Sequence, residues 1–194
     1  MLVRTMSSPL SATPPEFDTR HFRDALSQFA TGVTIITTRL DDGRFFGLTA
    51  SSFNSVSLNP PLVLWSLSGQ AQSMPLFTAN SHYVINVLAA NQLALAERFA
   101  SRIPNRFDGV EFELSHTGLP ILKGVAAWFE CHNRSRYPEG DHVIFVGEVE
   151  RCALQPQAPL VFHRGRFTST DDKLLKETSL DMVTGESQSP SGPA

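Results

Sequence analysis

Cysteine is nearly absent: the 194 residues contain two, Cys131 and Cys152. Two thiols cannot make a disulfide framework or a cysteine-rich metal cluster. Each sits in a strand-like stretch and reads as a small hydrophobe, and the cytoplasm is the natural compartment. Runs of one charge are also missing. Lys and Arg number 16 against 19 Asp and Glu, a net charge of -3, and the signs mix, as in Glu148-Val149-Glu150-Arg151. Duplex nucleic acid or an anionic membrane calls for a basic stripe, so neither is an expected partner. No run approaches the roughly 20 apolar residues that span a bilayer. Met1–Pro15 lacks the long apolar run of a signal peptide. His82, His116, His132 and His163 lack the close spacing with Cys, Asp or Glu that metal sites show, and His132 and His142 meet at best across a hairpin, so no metal is expected. The Gly-x-Ser-x-Gly elbow, the Gly-x-Gly-x-x-Gly fingerprint and the Walker loop are all absent. A nicotinamide cofactor, if used, would have to lie on another group rather than in a Rossmann fold.

What is present suits one domain. Residues 1–16, ending in Pro14-Pro15, and residues 171–194, rich in Ser, Gly, Pro and Thr, are expected to be disordered. The folded domain is placed at 17–170. Asp18-Thr19 cap a helix whose apolar stripe is Phe22, Ala25, Leu26 and Phe29. Val33–Thr38 is a β-branched strand, Asp41-Asp42-Gly43 a turn, and Arg44–Leu48 the returning strand. After the break at Leu58-Asn59-Pro60-Pro61, Leu62–Leu67 is a strand, Ser73–Asn80 a short helix with Pro75 in its first turn, and Tyr83–Leu88 a strand. Asn91 is expected to cap a helix through Phe99. Ser101–Pro120 reads as a long polar loop, a length that usually carries function. Val125–Arg134 and His142–Leu154 form strands around the hairpin Tyr137-Pro138-Glu139-Gly140, and Pro159–Phe162 with Arg164-Gly165-Arg166 close the domain. Strands outnumber helices by more than two to one and βαβ alternation is absent, so a β-barrel or sandwich with a few covering helices is expected.

Chemistry concentrates in three places. Gly47–Ser57 offers five small hydroxyls, the Asn54 carboxamide and unhindered backbone donors, which suits a phosphate or the polar edge of a flavin. The bland alternative is a polar strand edge. Ser66-Leu67-Ser68-Gly69-Gln70-Ala71-Gln72-Ser73 is a second hydroxyl and amide cluster, between a strand and a helix, and is otherwise an ordinary loop. Gly140-Asp141-His142 puts a histidine at a hairpin tip, to orient a nicotinamide, to donate a proton, or simply to bond its neighbouring aspartate.

In order along the chain, these segments resemble the flavin reductase-like family of split-barrel flavin:NAD(P)H reductases, which includes reductase components of two-component flavin monooxygenases. The resemblance rests on Phe29–Thr38, Gly47–Phe53, Leu58–Val63, Tyr83–Leu88, Phe99-Ala100-Ser101 with Arg106-Phe107, Gly140-Asp141-His142 and Pro159–Gly165. It covers about Phe22–Phe167. It implies a mainly β, six-stranded antiparallel Greek-key split barrel, a homodimer, FMN or FAD as flavin, NADH or NADPH as hydride donor, and a separate oxygenase that receives reduced flavin. By resemblance, Phe46, Gly47, Leu48, Thr49, Ser51 and Ser52 line the isoalloxazine. Ser66, Leu67, Ser68, Gln72 and Ser73 hold the ribityl and phosphate, with Ala100, Ser101 and Arg106 closing over them. His142, the one catalytic candidate, and Arg166 lie nearest the nicotinamide. The Ser66–Ser73 loop lacks the cation many relatives carry there, which leaves the phosphate to backbone donors, Arg102 or Arg106. The competing functions are a flavin-binding electron-transfer module without nicotinamide turnover and, more remotely, a pyridoxamine-phosphate-oxidase-like enzyme.

Overall fold

The computed structural model describes residues 18–170. The expected disordered segments 1–16 and 171–194 lie outside these residues. The chain runs α1 (Thr19–Leu26), β1 (Thr31–Gly32), β2 (Thr34–Arg39), β3 (Phe45–Ala50), β4 (Asn54–Leu58), β5 (Pro61–Ser68), α2 (Met74–Ala79) and β6 (His82–Val87). It continues through α3 (Leu93–Ala100), β7 (Phe112–Leu114), β8 (Pro120–Leu122), β9 (Ala127–Glu139), β10 (His142–Leu154), β11 (Leu160–His163) and β12 (Arg166–Ser169).

Seven strands form one antiparallel sheet in the order β3-β2-β6-β9-β10-β5-β4. It is one strand larger than the six expected. β1, β11 and β12 form a small separate sheet, and β7 pairs with β8. β3 at one end of the order and β5 next to the other end pack into the same core, through Phe46, Leu48 and Ala50 and through Val63, Trp65 and Leu67, so the sheet curls into a split barrel. The split is bridged by Ser52 in the β3–β4 connection. Its hydroxyl donates to the Ser66 carbonyl and accepts from the Ser66 N–H, both at 3.0 Å.

Alternation along β2 explains why there are two cores. Successive side chains of a strand point to opposite faces. Ile36 enters the barrel, among Trp65, Phe77, Tyr83, Ile85 and Phe145. Ile35 faces the other way, against Ala96 and Phe99 of α3. Inside the barrel Trp65 stacks on Phe145 with centroids 4.7 Å apart, and Phe77 meets Trp65 edge-on at 5.0 Å. The apolar stripe expected on α1 is not buried: Leu26 and Phe29 remain 56% and 72% exposed, although Asp18 caps the helix as expected.

Four sequence expectations change. The N-cap of α3 is Gln92, not Asn91. The Gln92 side chain accepts from the Ala89 N–H and donates to the Lys123 carbonyl, which ties the helix start to the chain after β8. The loop 101–120 is not structureless, because its second half contains β7 and leads into β8. Asn86 holds this hairpin on the sheet by donating to the Ile35 carbonyl and accepting from Leu122 N–H. The β9–β10 tip is also two residues later than expected, with Glu139 opposite His142 across Gly140-Asp141. His132 does not meet His142: it lies opposite Glu148 on one side and His82 on the other.

Glu130 is the one buried acidic side chain among the described residues. Its Oε1 accepts from the Ser115 and Thr117 hydroxyls and the Thr117 N–H, so it clamps the turn between β7 and β8. Burial alone raises the carboxyl pKa, but these bonds and one from the His116 backbone outweigh it, and the net shift is downward. A lowered folded pKa adds stability above the unfolded value of about 4.3 and loses it as pH falls through the folded one. Glu130→Gln is therefore expected to destabilise the protein at pH 7 and to flatten the acid limb of a stability-against-pH curve. Gly147 is a second tight point. A Cβ there would sit 2.5 Å from the Tyr83 hydroxyl and 3.0 Å from Cys131 Cβ, both in the packed barrel. Gly147→Ala is expected to cost about 1–3 kcal/mol in urea unfolding.

Candidate active site

One cleft runs along the outside of the barrel between three segments: β3, the chain from β5 to α2, and the loop after α3. Its inner part, about 550 Å³, has an apolar floor of Phe46, Leu48, Leu67, Leu76 and Phe99. Its polar rim is Thr49, Gln70, Gln72, Ser73, Arg102 and Arg106. The outer part, about 810 Å³, continues past Phe46 to the β2–β3 turn and the loop 102–108.

Arginine builds this cleft. Arg106 Nη1 donates to the Gly47 carbonyl at 2.7 Å, and Nη2 donates to the Ser101 carbonyl. Its guanidinium also lies 5.4 Å from the centre of the Phe46 ring. Burial pushes the Arg106 pKa below the ordinary arginine value, yet a guanidinium stays charged. Arg98, on α3, fixes the loop from the other side by donating to the Arg106 carbonyl at 2.7 Å and the Asp108 carbonyl at 2.6 Å. Gly47 completes the contact. A Cβ there would lie 2.7 Å from the Phe99 ring, so only glycine lets α3 lie this close to β3.

Most of the residues expected from the sequence converge here. Phe46, Gly47, Leu48, Thr49, Leu67, Gln72, Ser73, Ala100 and Arg106 line the cleft. Several hydroxyls expected to meet a ligand are instead spent within the protein. Thr49 donates to the Ala96 carbonyl at 2.7 Å, Ser101 donates to the Arg98 carbonyl, and Ser52 bridges to Ser66. Ser68 Oγ accepts from the Gln70 N–H and shapes the turn. The Ser73 hydroxyl caps α2 in position but makes no capping bond, so it remains available to a ligand. Ser51 is exposed on the connection after β3.

His142 is not in the cleft lining, but it adjoins it. It sits opposite Ser68 in the β10–β5 pairing, and Gly69 N–H donates to the Asp141 carbonyl. Its Nδ1 is 2.6 Å from Asp141 Oδ1, and this hydrogen bond is the main reason the Asp141 pKa falls below the ordinary carboxylate value. Arg166 is not brought to the cleft. It begins β12, opposite His163 in the small sheet. Sequence reasoning missed Leu40, Arg44, Phe45, Leu76 and Phe99 as cleft residues. Leu76 and Phe99 look like helix core positions, and only the hairpin pairing of β2 with β3 brings Arg44 to the loop 102–108.

The donor set fits a flavin nucleotide. The apolar floor of the inner cleft matches an aromatic ring system, and Ser73, Gln72, Arg102 and Arg106 line the same cleft with the donors a phosphate would need. Arg106 has five N–H groups and spends two on carbonyls, which leaves three.

Residues 26–171 match the family described as flavin reductase like domain. The chain belongs to this family. It is 43% identical over 77% of its length to an FMN reductase (NADH) of Agrobacterium fabrum, covering 85% of that protein. It is 39% identical to the reductase subunit of a flavin-dependent monooxygenase from Rhodococcus jostii, over 79% of each chain. An NADH:FAD oxidoreductase of Streptomyces globisporus, solved in complex with NAD and FAD fragments, superposes with a TM-score of 0.77 at 35% identity, over 81% of this chain and 95% of that one. Some curated relatives are longer, and the chain spans about half of their length.

Arg106→Lys keeps the charge but loses the planar fork whose two separate nitrogens each hold one carbonyl. It is expected to free the loop 102–108, seen as faster limited proteolysis there, to weaken FMN binding about tenfold in calorimetry, and to lower the melting temperature by roughly 3–10 °C.

Proposed function

We propose that this flavin reductase family member is an NAD(P)H:flavin oxidoreductase of the EC 1.5.1 type. It takes FMN or FAD in the cleft and hands the reduced flavin to a separate oxygenase. The observation that carries this is one cleft lined both by an apolar floor and by a set of hydroxyl, amide and guanidinium donors, the needs of the two halves of a flavin mononucleotide. Support comes from the relatives, whose names are those of an FMN reductase (NADH) and of a monooxygenase reductase subunit.

When bound together, the nicotinamide and the flavin supply the hydride chemistry between them. The chain's residues supply position. Phe46 and Leu48 offer the flat apolar surface, and Arg106 holds Phe46 in place. Ser73, Gln72 and the remaining guanidinium donors anchor the phosphate. Reaction between two bound rings is governed mainly by how well they are held together, which is worth several powers of ten. The phosphate end has no lysine, and one of its two arginines is half committed to backbone carbonyls. This supports moderate affinity and a flavin that leaves after reduction. His142 is proposed to stand nearest the nicotinamide, with the Asp141 contact setting the imidazole's orientation.

A homodimer is part of this proposal. β4 is an edge strand with Val56 and Leu58 48% and 80% exposed. β10 leaves Glu150–Leu154 exposed, and Leu154 is 81% exposed. Edge strands with bare apolar side chains are usually covered.

The test is flavin-dependent loss of NADH or NADPH absorbance with FMN and with FAD. Turnover with one pairing of donor and flavin is expected, and none with any pairing refutes the proposal. His142→Ala is expected to lower kcat about tenfold or more while leaving the FMN dissociation constant within twofold. Equal losses in both would place His142 in the flavin site rather than beside the nicotinamide.

A further inference from the structure

Histidines that are far apart along the chain are gathered by the sheet. His82 on β6 and His132 on β9 lie directly opposite each other in the antiparallel pairing. Side chains paired in this way have Cβ atoms about 4.5–5.5 Å apart on one face, and the two imidazole rings stand 5.3 Å apart, centre to centre. Their neighbours Tyr83 and Cys131 point into the barrel, so the pair lies on its outer face. The next strand adds carboxylates. Glu148 of β10 is opposite His132, and Glu150 follows at an irregularity in the β9–β10 register.

The contacts here resemble those of metal ligands more than those of an ion pair. His82 Nδ1 is 2.9 Å from the Ser81 hydroxyl oxygen. With Nδ1–H donating there, Nε2 carries the ring's lone pair, the arrangement in which ligating histidines are held. Glu150 Oε2 lies 3.4 Å from that Nε2. A charge-assisted hydrogen bond would close to about 2.7–2.9 Å. Two ligand atoms on one tetrahedral zinc, each about 2.0–2.1 Å from the metal, stand about 3.3–3.4 Å apart. Among the described residues no three donors already converge as a finished ligand set. His132 is exposed, and rotation of its side chain would supply the third. The charge of this face also suits a cation. Glu148 is engaged by Arg134 at 3.1 Å. Glu130, opposite Arg151, is buried with its Oε2 unpartnered. Three carboxylates against two guanidiniums leave the face negative.

We propose that His82, His132 and Glu150 form a divalent transition-metal site on the outer face of the sheet, with water completing the coordination. Two imidazoles and one carboxylate suit Zn²⁺, Ni²⁺ or Cu²⁺ rather than Mg²⁺ or Ca²⁺. Ser81 orients the His82 ring. The metal joins β6, β9 and β10, and none of its ligands lines the cleft. The site therefore stands independently of the flavin reading.

The experiment is isothermal titration calorimetry of the full chain, stripped with EDTA and dialysed, with zinc chloride. It is repeated with His132→Ala, Glu150→Gln and His142→Ala, the last removing the histidine–carboxylate pair at the β9–β10 tip. One zinc per chain is expected. Its dissociation constant is expected to rise at least tenfold in His132→Ala and at least threefold in Glu150→Gln, and to stay within twofold in His142→Ala. His132 and Glu150 are exposed, so both substitutions are expected to leave the metal-free melting temperature within about 2 °C. Saturating zinc is expected to raise that temperature in the unsubstituted chain and not in His132→Ala. Absence of zinc binding, or binding that survives both His132→Ala and Glu150→Gln, overturns the site. Loss of binding in His142→Ala alone places the zinc at the tip and overturns it as well.

Discussion

The cleft depends on one guanidinium. Arg106 spans from the loop after α3 to the Gly47 carbonyl on β3, and its own carbonyl is held by Arg98. Without this exchange the loop 102–108 is held to the barrel chiefly by Phe107 against Phe45 and Phe99, and the cleft wall loosens. The bonds are charge-assisted and half-buried, where each is worth about 1.5–3 kcal/mol. They also set the orientation of Phe46, whose ring lies under the guanidinium. Gly47 is the partner constraint, since α3 can lie against β3 only where no Cβ intervenes. The chemistry of the site thus follows from how closely a helix packs on an edge strand.

The barrel sets which groups remain for a ligand. Its split needs a bridge, and Ser52 supplies it with both faces of its hydroxyl. Thr49 and Ser101 fix α3 in the same manner. A buried or half-buried hydroxyl without a partner is costly, so a fold rich in small hydroxyls first satisfies its own backbone. What the cleft offers a ligand is consequently apolar surface from Phe46, Leu48 and Leu67, a free Ser73 hydroxyl, and guanidinium donors.

Much of the fold was legible because its signals are local. The β-branched run at Val33–Thr38, the turn at Asp41-Asp42-Gly43 and the break at Asn59-Pro60-Pro61 all report themselves within a few residues. The cap of α3 was misplaced because Asn91 is the better capping residue in isolation, whereas the Gln92 side chain is held by a local bond from the Ala89 N–H and a tertiary one to the Lys123 carbonyl. The strand β7 was hidden because Phe112–Leu114 is short and pairs only with β8. Within the site, the order of motifs pointed to the right segments, but not to the use of each hydroxyl. The part played by Leu76, Phe99 and Arg44 could not be read locally, since it arises from helix packing and hairpin pairing. The exposure of Leu26 and Phe29 is the reverse case: a clear helical stripe whose burial no described segment supplies.

The central claim is that flavin binds between β3, the chain entering α2 and the loop after α3. Hydrogen–deuterium exchange of the full chain with and without saturating FMN tests it directly. Slower exchange confined to residues 46–52, 66–73 and 99–108 is the predicted result. Protection centred instead on β7–β8 or on the small sheet of β1, β11 and β12, with those three segments unchanged, would contradict it.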